Sequence, residues 1–362
     1  MDSIEEIIGS AIVMIDFSEF DIEPSRIRNK IYESCTKTAS YLFGSTAARN
    51  TTSHTALQRT REIGTLWKVP AGNHSMGLAN VGLSCFLNSV LNCLYFLPPL
   101  YHSFSTFNQA KLTGLTVLIC RFVQIYGRWG IPEKLLVDIR ECFPEFQDTA
   151  MKSVYGFLLS VLQLLREESF QLPTPVAGLS ISDIFNLSVE ATRTCSVCQA
   201  CVSSPMQLQF LSLTLSPSHG DLSLLSCLQG FLAEERDTEA NTHLCRRCEC
   251  EQIHILRRRI THLGAALVIY LQRYNSADPE AQVTVPASLD LSKCLPGAGE
   301  YSLSSAIRHS GSLEWGHYTC CAKAGNGWMH FNDSCAQFVD FPQDFFNSST
   351  LFVYVRVSKL IL

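Results

Sequence analysis

The sequence divides into a helix-patterned part followed by a strand-patterned part, the order of elements expected of an α+β fold. Three observations predict it. Apolar residues recur at three- and four-residue spacing through Cys85–Leu97, Leu112–Tyr126, Lys134–Phe143 and Ser153–Leu165. From Met206 onward the pattern changes to alternation or short apolar runs, over 206–215, 252–259, 263–270 and 349–357. Gly325-Asn326-Gly327 separates two further strand-like runs as a hairpin turn would.

The helix over Cys85–Leu97 carries the chemistry. In GLANVGLSCFLNSVLNCLYFLPP (Gly77 to Pro99), Leu87, Val90, Leu91 and Leu94 form one buried face, and Pro98-Pro99 stops the pattern. Cys85 opens this helix, where unpaired backbone N–H groups and the positive end of the macrodipole favour a thiolate. Asn80 stands five residues earlier in a loop bracketed by Gly77 and Gly82, and its amide suits the oxyanion formed when a thiolate attacks a carbonyl.

Before that helix, residues 1–75 carry no chemical motif and read as an N-terminal extension, with a polar linker from Ser45 to Arg61. Asp2, Glu5 and Glu6 stand where a secretory signal would carry positive charge. No apolar run reaches the roughly 20 residues that span a bilayer. A net charge of −5 opposes a general nucleic-acid or anionic-membrane binder, since those carry a basic excess. The chain has 16 cysteines, several in paired metal spacings, which in a chain of 362 residues points to a reducing compartment, cytoplasmic and/or nuclear.

Two CxxC knuckles, Cys195–Cys198 and Cys245–Cys248, are separated by 46 residues. Each supplies two thiolates from a tight turn, and four thiolates suit a closed tetrahedral structural Zn2+ site. Cys201 and Cys250 are additional thiols, leaving ligand exchange or a metal-free cluster as alternatives. Between the knuckles, Met206–Leu215 alternates as one half-buried strand. Beyond them, Arg257-Arg258-Arg259 reads as a solvated strand end, with a basic patch for an acidic partner as the alternative. A polar loop from Asn275 to Gln282 borders the next strands.

The second chemical stretch runs from Tyr301 to Ser334. Gly316-His317-Tyr318 opens a strand, and the chain returns through the hairpin to Trp328-Met329-His330-Phe331-Asn332-Asp333. Such a hairpin sets His317 across from Asn332. A cysteine nucleophile needs a base for its proton and an amide or carboxylate that fixes the imidazole tautomer, and Cys85, His317 and Asn332 supply these in order.

These stretches resemble the boxes of the ubiquitin-specific proteases, papain-like enzymes that remove ubiquitin or its relatives from other proteins. Gly77, Leu78, Asn80, Gly82, Cys85, Asn88, Ser89 and Leu91 match the pattern GLxNxGxxCxxNSxLQ, with Asn92 at its glutamine. His309, Gly311, Gly316, His317, Tyr318, Trp328, Phe331, Asn332 and Asp333 match the second box, and Leu271-Gln272-Arg273-Tyr274 and Pro286–Leu291 resemble two further segments. The resemblance implies a papain-like cysteine protease hand, with helical thumb, β-sheet palm and zinc-ribbon fingers at about 187–260. The catalytic domain would cover 76–358.

The resemblance further implies a deubiquitinase cutting after the C-terminal glycine of ubiquitin or a ubiquitin-like modifier. Cys85, His317, Asn332, Asp333 and Asn80 would be catalytic, Tyr318, Asp148 and Tyr274 would face substrate, and Cys195, Cys198, Cys245 and Cys248 would hold Zn2+. His309 matches the pattern but reads as structural. The implied partner is the modifier and its conjugates, met by a monomer with no nucleic acid and no membrane. Lys152, Ser153 and Gly156 replace the glutamine, aspartate and glutamate of the family's QDAxEFL motif, with Gln147-Asp148 just upstream. That replacement carries a second reading, a pseudoprotease that binds the modifier without cutting it. A zinc-dependent interaction or nucleic-acid module is a third, opposed by the acidic balance and the long gap between knuckles.

Overall fold

The computed structural model of the chain describes residues 77–105, 114–126, 131–148, 152–170, 181–215, 222–312 and 315–357. The chain separates into two units, Met1–Thr60 and Arg61–Leu362, and every described residue belongs to the second. The extension and linker expected within residues 1–75 lie outside the described residues.

Among the described residues six α-helices come first: α1 (Cys85–Tyr95), α2 (Pro98–Ser105), α3 (Gly114–Ile125), α4 (Glu133–Glu141), α5 (Val154–Phe170) and α6 (Ile181–Phe185). Four of them fall on the spans that helical spacing predicts. Pro98-Pro99 does more than end a helix, because Pro98 also begins α2, where its fixed φ and missing N–H are tolerated.

The strands β1 (Leu187–Cys195), β2 (Cys201–Leu208) and β3 (Leu211–Thr214) follow, then α7 (Leu224–Leu232). Next are β4 (Glu235–Arg236), β5 (His243–Cys245), β6 (Cys250–Gln252), β7 (His254–Leu263), β8 (Ala266–Gln272) and β9 (Ser288–Asp290). The chain ends through β10 (Glu300–Gly311), β11 (Gly316–Ala324), β12 (Gly327–Asn332), β13 (Cys335–Val339), α8 (Gln343–Asn347) and β14 (Leu351–Arg356).

They build three sheets. The large one has the order β13-β12-β11-β10-β14-β8-β3, with β9 also paired to β10. A second has the order β2-β1-β7-β4, and β5-β6 is a small ribbon. The last described strand, β14, is interior, between β10 and β8, and completes the sheet from within.

Two expected strands prove to be broken where the chain passes between sheets. Met206–Leu215 is interrupted at Gln209-Phe210, leaving β2 in the second sheet and β3 in the large one. The run 263–270 is likewise interrupted, at Gly264-Ala265 between β7 and β8. A side chain at 264 would place its Cβ 2.4 Å from the Ile184 carbonyl oxygen, so glycine is what lets α6 lie against this crossing.

Helix α1 is buried on every side, not along one stripe: Asn88, Ser89 and Asn92 are enclosed with Leu87, Val90, Leu91 and Leu94. It lies between α5 on one flank and β10 and β11 on the other. Phe86 meets Phe157 and Phe146 at ring-centroid distances of 5.1 and 5.8 Å, while Phe96 meets Phe331 of β12 at 5.3 Å. A helix enclosed in this way must satisfy its polar side chains internally. Asn92 accepts from the Tyr126 hydroxyl, and Asn88 donates to Asp333.

Candidate active site and metal centre

The loop before α1 is closed on itself. The Ser84 N–H donates to Asn80 Oδ1 at 2.9 Å, and the Val81 N–H donates to Ser84 Oγ at 2.8 Å. Between them Gly82 and Leu83 take φ of +61° and +57°. The left-handed region is ordinary for glycine but strained for leucine.

Cys85 follows at the start of α1, 2 % exposed. Its sulfur meets the main-chain N–H of Tyr318, the residue after His317, which joins the cysteine box to β11. The thiol is nonetheless pushed up from its ordinary value, first by burial and then by the nearby Asp333 carboxylate. Desolvation outweighs the N–H donors here, against the thiolate that the helix start favours.

His317, the residue expected to serve as base, lies in β11 one position before Tyr318. His317 Nε2 lies 2.7 Å from Asn332 Oδ1 at the end of β12. The β11–β12 register, with Cys320 opposite Phe331 and Ala324 opposite Gly327, closes through Gly325 at φ +61°. The hairpin thus brings the two side chains together from opposite strands.

Asp333 is the knot between the two boxes. Its Oδ1 accepts from Asn88 Nδ2 and its Oδ2 from Asn80 Nδ2, each at 2.8 Å, and its main-chain oxygen accepts from the Leu78 N–H at 2.8 Å. His317 Nε2 lies 3.9 Å from Oδ2. One N–H of the Asn80 amide is therefore committed to Asp333, a role that loop position alone does not reveal. Gly77 makes the approach possible, since a Cβ there would fall 2.0 Å from the Ser334 carbonyl oxygen.

The three residues expected to face substrate are engaged in the protein. The Tyr274 hydroxyl bonds His309 Nδ1 and lies 3.2 Å from the Gly311 carbonyl oxygen. The His309 ring lies 4.3 Å from that of Tyr318, so Tyr274, His309 and Tyr318 form a row beside His317. Burial, with the charge of His317, lowers the His309 pKa to about 4, so it is a neutral packing residue. Asp148 accepts from Lys152 Nζ at 2.8 Å, and its carbonyl accepts from Arg140. Lys152, at the family's glutamine position, is buried.

The four knuckle cysteines converge at the turns after β1 and β5, with all four sulfurs within 4.8 Å of one another. Tetrahedral thiolates at about 2.3 Å from a zinc ion stand about 3.8 Å apart. Cys195–Cys248 at 3.9 Å and Cys198–Cys245 at 3.5 Å fit that spacing and are far too long for disulfides. The donor set therefore fits Zn2+. Cys201 and Cys250 fall outside the cluster. The arginine run is mid-strand in β7, where Arg257, Arg258 and Arg259 pair with Glu234, Glu235 and Glu190, which corrects the strand-end reading.

Two residues joined to the site have no assigned role in the sequence reading. Asn88 is visible as a box residue three positions after Cys85, hence on the same helix face, but its partner is 245 positions away. Arg140 lies outside every motif.

A family model described as ubiquitin carboxyl-terminal hydrolase matches residues 76–354. Ubiquitin carboxyl-terminal hydrolase 23 of Arabidopsis thaliana is 27 % identical over 307 residues, covering 77 % of this chain and 35 % of that protein. Ubiquitin carboxyl-terminal hydrolase 12 of Salmo salar is 25 % identical over 322 residues, covering 77 % of this chain and 86 % of that protein. The chain thus spans about a third of the first relative and most of the second. A solved SAGA DUB module containing Ubp8, bound to monoubiquitin, shares the fold with a TM-score of 0.66 at 19 % identity, over 83 % of this chain and 74 % of that one. The α+β hand, with a cysteine cluster in its fingers, is the architecture that the sequence resemblance implies, and the chain belongs to the ubiquitin carboxyl-terminal hydrolase family.

Proposed function

We propose that the protein is a thiol-dependent deubiquitinase that hydrolyses the bond after the C-terminal glycine of ubiquitin or a ubiquitin-like modifier. The observation that carries this reading is the junction of the two boxes: the Cys85 sulfur rests on the Tyr318 N–H beside a His317–Asn332 pair of 2.7 Å. With Nε2–H donated to Asn332 Oδ1, the His317 Nδ1 is the basic nitrogen that takes the Cys85 proton. The thiolate attacks the glycine carbonyl, and main-chain N–H groups at the start of α1 stabilise the oxyanion. The imidazolium then returns the proton to the departing lysine amine. Water, deprotonated by His317, releases the modifier and regenerates the thiol.

Zn2+ in the Cys195, Cys198, Cys245 and Cys248 cluster would be structural, tying the β1–β2 turn to the β5–β6 ribbon. Among the described residues no helix is long and apolar enough to cross a membrane.

The test is mass spectrometry after mixing the protein with ubiquitin, and separately with a ubiquitin-like modifier, each ending in an electrophilic group. The expected result is an adduct on Cys85, absent in Cys85→Ala and weakened in His317→Ala, with the better reactant identifying the modifier. The binding-only reading draws on the buried Lys152 at the glutamine position and the raised Cys85 pKa. A folded protein that captures the modifier without an adduct would establish it.

A further inference from the structure

Arg140 of α4 reaches across the thumb and donates to four main-chain carbonyls. Its Nε donates to Phe146 O at 2.6 Å and one terminal nitrogen to Asp148 O at 2.8 Å. The other terminal nitrogen donates to Val81 O at 3.1 Å and Gly82 O at 2.5 Å. Its guanidinium also lies over the Phe86 ring, 5.8 Å from the centroid. The planar fork joins α4 and the turn that follows it to a segment 58 positions away in sequence, the loop that leads into Cys85.

The contacted loop holds a non-glycine residue in a strained conformation directly before Cys85. Leu83 is at φ +57° directly after Gly82 at +61°. A leucine in the left-handed region is strained and persists only when its surroundings over-determine it. The internal bonds through Asn80 and Ser84 close the loop, but they do not fix the Val81 and Gly82 peptide planes from outside. Arg140 does. In a trans peptide the C=O and the following N–H point in opposite directions, so turning the Val81 and Gly82 carbonyls toward the guanidinium turns the Gly82 and Leu83 N–H groups away from it.

Resting on the thiol-protease reading above, we propose that Arg140 is a positioning residue for the reaction, a strut that holds the 80–84 loop and its N–H groups in the orientation required beside the Cys85 nucleophile. The preference for arginine is geometric. A lysine ammonium reaches one or two carbonyls as a point charge, whereas four acceptors in fixed directions call for the guanidinium fork.

The experiment compares the full-length chain with Arg140→Met, which keeps the stem over Phe86 but removes every donor, and Arg140→Lys, which restores part of the donor set. Two quantities are read: amide hydrogen exchange of residues 79–84 in the substrate-free protein, and kcat and KM for release of a fluorophore from the C-terminus of ubiquitin. The strut predicts that Arg140→Met speeds exchange of the Val81 and Ser84 amides about tenfold or more. It also predicts a kcat about tenfold or more lower, a KM changed less than about twofold, and partial recovery of both readouts in Arg140→Lys. Unchanged exchange in 79–84 overturns the proposal. So does a loss of kcat matched by a uniform rise in exchange across the whole fold, the mark of general destabilisation. A wild-type chain that releases no fluorophore removes the protease reading and with it the catalytic half of the proposal, while the exchange data still decide whether Arg140 holds the loop.

Discussion

The Asn88 amide donates to Asp333 Oδ1 at 2.8 Å, joining the middle of α1 to the residue that follows β12. With Asn80 on the other carboxylate oxygen, one aspartate holds the loop before Cys85, the helix that Cys85 opens and the end of the strand bearing Asn332. Asp333 itself sits at φ +46°, so the clamp holds a strained residue. Replacing Asp333 by alanine takes one acceptor from the buried Asn88 amide, which keeps the Ala79 carbonyl, and one from the exposed Asn80 amide, and is expected to cost about 1 to 2 kcal/mol of stability. In a double-mutant cycle with Asn88→Ala, denaturant unfolding is expected to show a coupling of about 1 to 2 kcal/mol. Strictly additive effects would dismiss the clamp.

Removing His317, the proposed base, should expose the acidity of Cys85 itself. Burial and Asp333 both raise the Cys85 pKa, and a raised pKa means the thiol form persists to higher pH. In His317→Ala, the rate at which iodoacetamide alkylates Cys85 is expected to climb with pH without levelling off below the ordinary thiol value of 9.0. A plateau near neutral pH, read by peptide mass spectrometry, would mean that the helix terminus alone ionises the sulfur.

The metal centre makes a separable claim. The purified chain is expected to carry one zinc ion, released by a thiol-specific mercurial reagent. Cys245→Ser should lose the ion, whereas Cys201→Ser and Cys250→Ser, outside the cluster, should retain it. Metal removal should speed hydrogen exchange in 243–252 and leave β10 and β14, in the interior of the large sheet, protected. Full zinc content in Cys245→Ser would overturn the ligand set.

Local features were more legible in the sequence than long-range packing, for a physical reason. Helix starts, knuckle turns and the Gly325 hairpin are local features, so Cys85, the four cysteines and the His317–Asn332 pairing could each be read from nearby residues. The break of Met206–Leu215 into strands of two sheets was not legible, because both halves keep the same alternation while their partners, β1 and β8, lie elsewhere in the chain. The same holds for Gly264, whose necessity comes from Ile184, and for Arg257 to Arg259, whose partners Glu234, Glu235 and Glu190 define their surroundings. Asn80 shows the limit within the site: a loop amide five residues before a nucleophile suits an oxyanion, yet its committed N–H goes to an aspartate 253 positions away.

His309 ties the same region to pH. Folded His309 resists protonation until about pH 4, while an unfolded histidine takes up its proton near 6.5. Between those values the unfolded chain binds more protons than the folded one, so stability falls as the solution is acidified through that window and is fully present above it. The shift corresponds to about 3 kcal/mol, which partial exposure of the ring reduces to about 2. His309→Gln keeps a polar group near the Tyr274 hydroxyl but cannot titrate. Its unfolding free energy is therefore expected to lose about 2 kcal/mol less than wild type between pH 6.5 and 4. Parallel stability curves for the two proteins would place the acid sensitivity elsewhere and show that the Tyr274–His309–Tyr318 row accepts a charge.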